Sequence, residues 1–459
     1  MGNSVGFSPN LEPTLLLGAF RSYMTGYVSM RTILIVTIAA LALGGCGDNA
    51  KLPAYDGYGP KPALPAARKE TIPRVHIAKA TGWPAGVMPA AAKGFTVTPF
   101  ARDLDHPRWL HVLPNGDVLV AETNTPTQEA GGVMAWVQKM VMGMAGADTP
   151  SANRITLLRD NDGDGAAETR STFISGLNSP FGMALVGDSF YVADTDAVLR
   201  FTYKTGATQL TGQGEKIVDL PAGPRNYHWT KNIIASPDGT KLYVTVGSNS
   251  NVGENGMAEE EGRAAIWEID PVAKTHRIFA TGLRNPNGMF FTDSGKLWTA
   301  VNERDEIGGD LVPDYITNVQ DGGFYGWPYS YFGQHVDHRV TPERPDLVAK
   351  AISPDYAVGA HTASLGLAFS TGAKLGEGLT HGAFVSQHGS WNRKPRSGYR
   401  VIFIPFHDDR PSGMPRELLS GFLTEDGKAQ GRPAGIAIDK RGGLLVADDV
   451  GNAVWRVAQ

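Results

Sequence analysis

The chain has 459 residues, with 42 Lys and Arg against 46 Asp and Glu, a net charge of −4. That leaves no strongly positive field for nucleic acid, and a single Cys excludes a disulfide scaffold. The 56 Gly and 30 Pro beside 42% hydrophobic residues describe a turn-rich packed β protein rather than a disordered one.

In chain order, residues 1–29 read as an upstream extension, with Met30 the more natural start. Met30-Arg31 opens a short basic region, and Thr32 to Leu43 is an uncharged run too short to span a bilayer, so residues 1–46 end in a signal peptide. Leu43-Gly44-Gly45-Cys46 resembles a bacterial lipobox. It predicts a lipid anchor on Cys46, facing the periplasm from the outer membrane and making the chain's one contact with a membrane. Residues 47–93, rich in Pro and Ala without hydrophobic periodicity, read as a tether and lead-in.

Residues 94–459 carry a loose repeat: an apolar strand, a polar turn with Gly, and a second strand closing on Ala-Asp or Ala-Glu. Copies run over Pro107–Glu122, Pro180–Asp194, Lys231–Val246, Asn285–Val301 and Arg432–Asp448, with a degenerate one from Ser364 to Ser386. Turns such as Pro114-Asn115-Gly116 and Pro237-Asp238-Gly239 supply the positive φ that tight hairpins need. Outer strands follow at Val198–Phe201, Ala265–Ile269, Tyr399–Pro405 and Ala453–Val457. The pattern predicts an all-β chain, a six-bladed β-propeller with four-stranded blades and loop insertions.

Two insertions are expected. Gly131–Gly146 places Val133, Trp136, Val137, Met140, Val141 and Met144 at helical spacing, a short helix packed over the propeller in preference to a membrane or partner surface. The second spans about Asn302 to Ala360. The cluster Asp160, Asp162, Asp164 has the spacing of a calcium loop, but Ser171 stands where the twelfth-position Glu belongs, so structural calcium and a solvated acidic hairpin turn both remain open.

Nucleophile elbow, Walker, dinucleotide, haem and zincin motifs are absent. What stands out is polar residues at the ends of the hairpins, which in a propeller face the channel. They are His228, Arg284-Asn285, Asn302-Glu303-Arg304-Asp305-Glu306, His388 through Arg393, and Arg432. Arginines at several of these positions suit a polyanionic ligand, since guanidinium forks pair with carboxylates, or else bridge neighbouring blades.

Ala280–Gly288 (ATGLRNPNG), His228 with the following SPDGTKLYVTVG, Glu303–Glu306 and Gly322–Pro328 (GGFYGWP) resemble the soluble glucose dehydrogenase and sorbosone dehydrogenase family. The resemblance covers roughly 94–459 and is closer to the sorbosone branch, because the Gly-Pro pair ahead of that family's acidic cluster is missing here. It implies pyrroloquinoline quinone and calcium as cofactors, a small-molecule sugar substrate (an aldose or sugar aldehyde) and a further, unidentified electron acceptor. It implies His228 as general base and Arg284 with Asn285 on the quinone oxygens. Arg432, Arg393 and His388 would hold cofactor carboxylates; Glu303, the Arg304 carbonyl, Asp305 and Glu306 would hold calcium. A calcium-dependent lactonase-like hydrolase and a non-catalytic binding scaffold are the alternatives.

Overall fold

A computed structural model describes residues 48–70, 74–126 and 142–459. The expected cleavage region with Cys46 and most of the helix expected at Gly131–Gly146 lie outside the described residues.

Each predicted hairpin forms the inner half of a blade. In chain order the first two strands are Pro107–Val112 and Val118–Glu122, Gly182–Val186 and Ser189–Ala193, Ile233–Ala235 and Leu242–Val246, Pro286–Phe291 and Leu297–Val301, Ser364–Phe369 and Gly382–Gln387, and Pro433–Ile438 and Leu444–Asp448. Neighbouring first strands touch all the way round, blade 6 meeting blade 1, so the sheets close into a six-bladed propeller. Gly116 and Gly239 turn their hairpins at φ +99° and +70°. Six apolar clusters form the core, one between each adjacent pair of blades.

Three features differ from the sequence reading. The stretch Asn302–Ala360 is only partly an insertion, since Pro313–Asn318 and Tyr356–Ala360 are the outer strands of blade 4. The chain between them forms the small hairpin Ser330–Tyr331 with His335–Val336 and the short helix Pro345–Val348. Blade 6 takes its fourth strand, Thr96–Ala101, from the chain ahead of blade 1. Residues 48–93 have no core of their own, yet they are not a loose tether. Tyr58–Gly59 and Ala90–Ala91 add edge strands to blades 4 and 5, Ala78 is fully buried, and Trp83 donates to Asp448 at 2.6 Å.

At the axis the first strands pack backbone to backbone. A Cβ on Gly182, Gly288, Gly366 or Gly435 would lie 2.3 to 2.7 Å from main-chain atoms of the next blade. The acids that close the hairpins are buried and accept N–H groups from the segment leading into the same blade. Asp194 takes Asn178 N–H at 2.8 Å, and Asp448 takes Arg432 N–H at 2.7 Å. Burial pushes Asp448 up to about 6 and Asp194 up to about 7. Among the described residues Asp194 has no cation partner, and one of its oxygens is left unbonded.

Gly288→Ala should cost about 1–3 kcal/mol, because its methyl meets backbone that cannot rotate away. Thermal denaturation at one pH measures it, and a melting temperature equal to wild type would refute the crowding. For Asp194 the folded state keeps a proton between the ordinary carboxylate value of 3.8 and about 7 that the unfolded chain has released. Its contribution to stability therefore falls as pH rises through that window. Asp194→Asn should flatten the loss of melting temperature between about pH 4 and 7.

Candidate active site at the channel mouth

In an antiparallel hairpin the start of the first strand lies beside the end of the second. The register pairs Pro107 with Glu122, Pro286 with Val301, Ser364 with Gln387 and Pro433 with Asp448. Residues just before and just after each hairpin thus gather at one end of the channel, and all the non-acidic-loop candidates fall there.

His228 is half-buried, and its Nδ1 lies 2.8 Å from the Ser248 carbonyl. A carbonyl only accepts, so Nδ1 carries the proton and Nε2 is left as a lone pair. Burial, then the Arg284 charge, holds the imidazole well below its ordinary range. The Tyr227 ring meets it edge-on at 4.7 Å. Gly247 allows this approach, since a Cβ there would sit 2.5 Å from both Asn285 Oδ1 and His228 Cβ. Asn285 presents a buried amide oxygen that finds no partner.

Arg284 is fully buried and largely committed to the protein. Its guanidinium donates to the Asn251 carbonyl at 3.2 Å, Asn251 Oδ1 at 3.1 Å, Asn302 Oδ1 at 3.2 Å and the Glu303 carbonyl at 2.8 Å, with Asp305 3.8 Å away. It ties three loops together and lends His228 its charge. Arg393 is likewise engaged, by the Gly309 and Pro395 carbonyls at 2.9 and 2.7 Å and Asp310 at 3.4 Å. Arg432 is different. Its Nε is buried without an acceptor, Nη2 reaches the Ala78 carbonyl only at 3.4 Å, and the guanidinium lies over the Tyr399 ring at 5.0 Å.

His388 donates from Nε2 to Asp449 at 2.8 Å, and Arg108 bonds the same carboxylate oxygen, with His106 3.7 Å from it. Against burial, which raises it, His388 and Arg108 hold Asp449 well below the carboxylate range. Burial pushes His106 down to about 4. Arg108 Nε also has no partner. The sequence reading missed His106, Arg108 and Asp449. The positional signal was there: His106 and Arg108 flank Pro107 as Arg432 precedes Pro433, and Asp449 follows the closing Asp448.

The acidic run 303–306 does not converge as carboxylates. Glu303 turns to Arg304 at 3.0 Å, and Arg304, fully buried, also donates to Asp337 and to the Pro328 and Ser330 carbonyls. Asp305 accepts from His361 Nδ1 at 2.9 Å and Asn392 at 2.7 Å. Since His361 Nε2 faces the Gly308 carbonyl at 3.0 Å, both ring nitrogens meet acceptors and the ring is a buried imidazolium. Glu306, half-buried, has its pKa raised by burial and by Asp305, Glu254 and Glu70, opposed by Arg339. Asp160, Asp162 and Asp164, with Glu168, bring four carboxylate oxygens within 4.8 Å of one another, but on a hairpin turn where Arg441 already bonds Asp160 at 2.7 Å. That turn connects Arg154–Arg159 to Thr169–Ser175, the third and fourth strands of blade 1.

The lead-in crosses this same face. Asn49 and Ala50 donate to the Lys394 carbonyl at 3.1 Å, Glu70 to the Glu306 carbonyl at 2.9 Å, and His76 to the Trp391 carbonyl at 2.7 Å.

The comparisons with known proteins agree with this architecture. A pyrroloquinoline quinone-dependent pyranose dehydrogenase of Coprinopsis cinerea is 24% identical over 298 residues, 51% of this chain and 40% of that protein. An uncharacterized protein of Borreliella burgdorferi is 30% identical over 241 residues, 52% of this chain and 62% of its own. The chain thus spans between 40% and 62% of the length of these curated relatives. The holo PQQ domain of the Coprinopsis pyranose dehydrogenase superposes with a TM-score of 0.64 at 19% identity, covering 84% of this chain and all of that one. A calcium structure of the Trichoderma reesei carbohydrate-active enzyme of family AA12 gives 0.65 at 18%, covering 84% of this chain and 98% of that one. At such identities the two structures show the shared fold. The sequence model of the TrAA12-like family matches residues 147–320 and 341–459, well over half of the chain, and the chain belongs to that family.

Proposed function

We propose that this chain is a quinoprotein dehydrogenase that oxidises a sugar, with pyrroloquinoline quinone and calcium as cofactors and His228 as general base. The observation that carries the reading is the locked tautomer of His228: Nδ1–H is spent on the Ser248 carbonyl, and Nε2 is a neutral base at the channel mouth. The fit to a planar tricarboxylate rests on orphaned polar atoms. Among the described residues Arg432 Nε and Arg108 Nε are buried donors without acceptors, and the Asn285 amide oxygen is unpaired beside His228. For a cation, the Glu303 and Asp305 side chains are engaged by the protein, whereas Glu306 accepts no hydrogen bond from any described residue and lies among carboxylates that raise its pKa. The Glu303, Asp305 and Glu306 carbonyls also accept hydrogen bonds, so the Glu306 carboxylate and the Arg304 carbonyl are the oxygen donors that would hold calcium.

Pyrroloquinoline quinone, when bound, supplies an ortho-quinone that accepts a hydride. The protein's part is the proton and the orientation. His228 Nε2 takes the hydroxyl proton as the sugar carbon is oxidised, burial and then the Arg284 charge keeping the imidazole neutral beforehand. Arg432 and Arg108 would pair with cofactor carboxylates, and Asn285 would orient an oxygen near the base. A pyranose, in the Coprinopsis relative's name, is the substrate class to test first.

The test adds pyrroloquinoline quinone and Ca²⁺ to purified protein and follows sugar-dependent reduction of an artificial dye over pyranoses and other aldoses. Reduction requiring both additions is expected. No quinone binding and no reduction across the panel would sink the reading, and lactone hydrolysis without quinone would favour a hydrolase. His228→Ala should retain quinone affinity while turnover falls by about 10²–10⁴. Because the base is active when deprotonated and its pKa is lowered, the acidic limb of kcat/KM should lie well below the ordinary imidazole value of 6.5.

The periplasmic address and the lipid anchor on Cys46 belong to the same proposal, supported by the Leu43–Cys46 pattern and the uncharged run before it. Expressed in a bacterial host with an alkyne fatty acid, the wild-type chain should be labelled and Cys46→Ala should not. Equal labelling of the two would overturn the anchor.

A further inference from the structure

Beneath His228 lies a lysine that the roles above leave unused. Lys231 is fully buried, and no carboxylate among the described residues comes within salt-bridge distance of it. Its Nζ folds back under its own segment to lie 3.3 Å from the His228 carbonyl and 3.3 Å from the Trp229 carbonyl. Burial, with Arg263 nearby and only Asp196 in opposition, pushes it well below the ordinary lysine range. An apolar chain of equal length would fill this space without the cost of burying an ammonium or amine. What the nitrogen adds is a grip on two carbonyls.

The surrounding contacts show what those carbonyls control. Thr195 donates to the Trp229 carbonyl at 2.9 Å and accepts from Asn226 at 2.8 Å, and Arg263 donates to Asn226 at 3.1 Å. On the other side Thr230 donates to Asn287 Oδ1 at 3.0 Å, and Asn232 to the Asn287 carbonyl at 2.9 Å. His228 is held above by Ser248, through its own N–H at 3.3 Å and through Nδ1. Its carbonyl is the remaining backbone polar atom, and Lys231 takes it.

We propose that Lys231 is a positioning residue for His228: by gathering the carbonyls of His228 and Trp229 it fixes the peptide from which the imidazole hangs and so aims Nε2 into the channel mouth. This rests on the reading of His228 as the base. The side chain is fully buried beneath the His228 peptide and offers no surface to a ligand, so its loss should appear in turnover and not in binding. A misaimed base loses far more rate than affinity, because proton transfer depends steeply on geometry.

The experiment compares full-length wild type with Lys231→Met and Lys231→Arg, each supplied with pyrroloquinoline quinone and Ca²⁺. Lys231→Met should bind the quinone normally and keep KM for the sugar within about threefold, while kcat falls about 10- to 100-fold. Lys231→Arg, whose guanidinium can reach the same carbonyls, should recover most of the lost kcat. A kcat for Lys231→Met equal to wild type, or no recovery in Lys231→Arg, would overturn the assignment. Imidazole ¹⁵N shifts, recorded without quinone, separate this from the functional reading. A His228 Nδ1–H signature present in wild type and lost or exchange-broadened in Lys231→Met supports the positioning role even if the wild type reduces no dye. An unchanged signature overturns it. Should Lys231→Met fail to fold, Thr195→Val, which releases the same Trp229 carbonyl, carries the kinetic test: a drop in kcat at constant KM supports the role, and wild-type kcat counts against it.

Discussion

Everything at the channel mouth depends on how closely the innermost strands approach the axis. Where Gly182, Gly288, Gly366 and Gly435 lie, main chain meets main chain and a single methyl would not fit. Interiors at this density do not yield gradually, so the spacing of the blades is fixed by the absence of side chains at a few positions. With that spacing set, the loops before and after each hairpin are brought within hydrogen-bonding reach of one another. Arg284 can then span from Asn251 to Glu303, and Asp305 can meet His361 and Asn392.

The polar residues of the mouth divide between those that hold loops and those that keep polar atoms unpaired among the described residues. Arg284, Arg304 and Arg393 spend their donors on carbonyls and carboxylates of the protein, as buried guanidiniums must where no water can satisfy them. Arg432 and Arg108 keep unpaired donors, and the Asn285 amide keeps an unpaired acceptor. The buried acids Asp194, Asp314 and Asp448 serve the backbone instead, each accepting N–H groups at the end of a strand. A site built this way is preorganised: the groups that would meet a ligand are held by residues that never touch it.

Much of this was legible in the sequence because hairpins are local. Pro114-Asn115-Gly116 and the alternation on either side of it define two strands and a turn without reference to the rest of the chain. The outer strands of blades 1 and 4 were not legible. Arg154–Arg159 and Pro313–Asn318 stand apart from their hairpins behind long loops, so their pairing depends on distant partners. The candidate residues were found at the hairpin ends, but their roles were not. Whether an arginine spends its donors on carbonyls or keeps one spare depends on which loop lies opposite, as Arg284 and Arg432 show. Asp449 directly follows Asp448 in sequence, yet one binds imidazole and guanidinium and the other backbone and indole. Lys231 gave no sign at all, since a lysine beside a strand normally reads as a solvated charge.

The strand that completes blade 6 has a consequence for how the molecule is made. Thr96–Ala101 pairs with Ala453–Ala458, so the ring is latched by two segments made far apart in time. A nascent chain that lacks Ala453–Ala458 cannot close the ring, and until that segment arrives blades 1 and 6 each expose one side of the apolar cluster they share. Contacts of such sequence separation are slow to form. Deleting Ala453–Ala458 would strip the latch from the whole ring, a far larger loss than the residues removed would suggest.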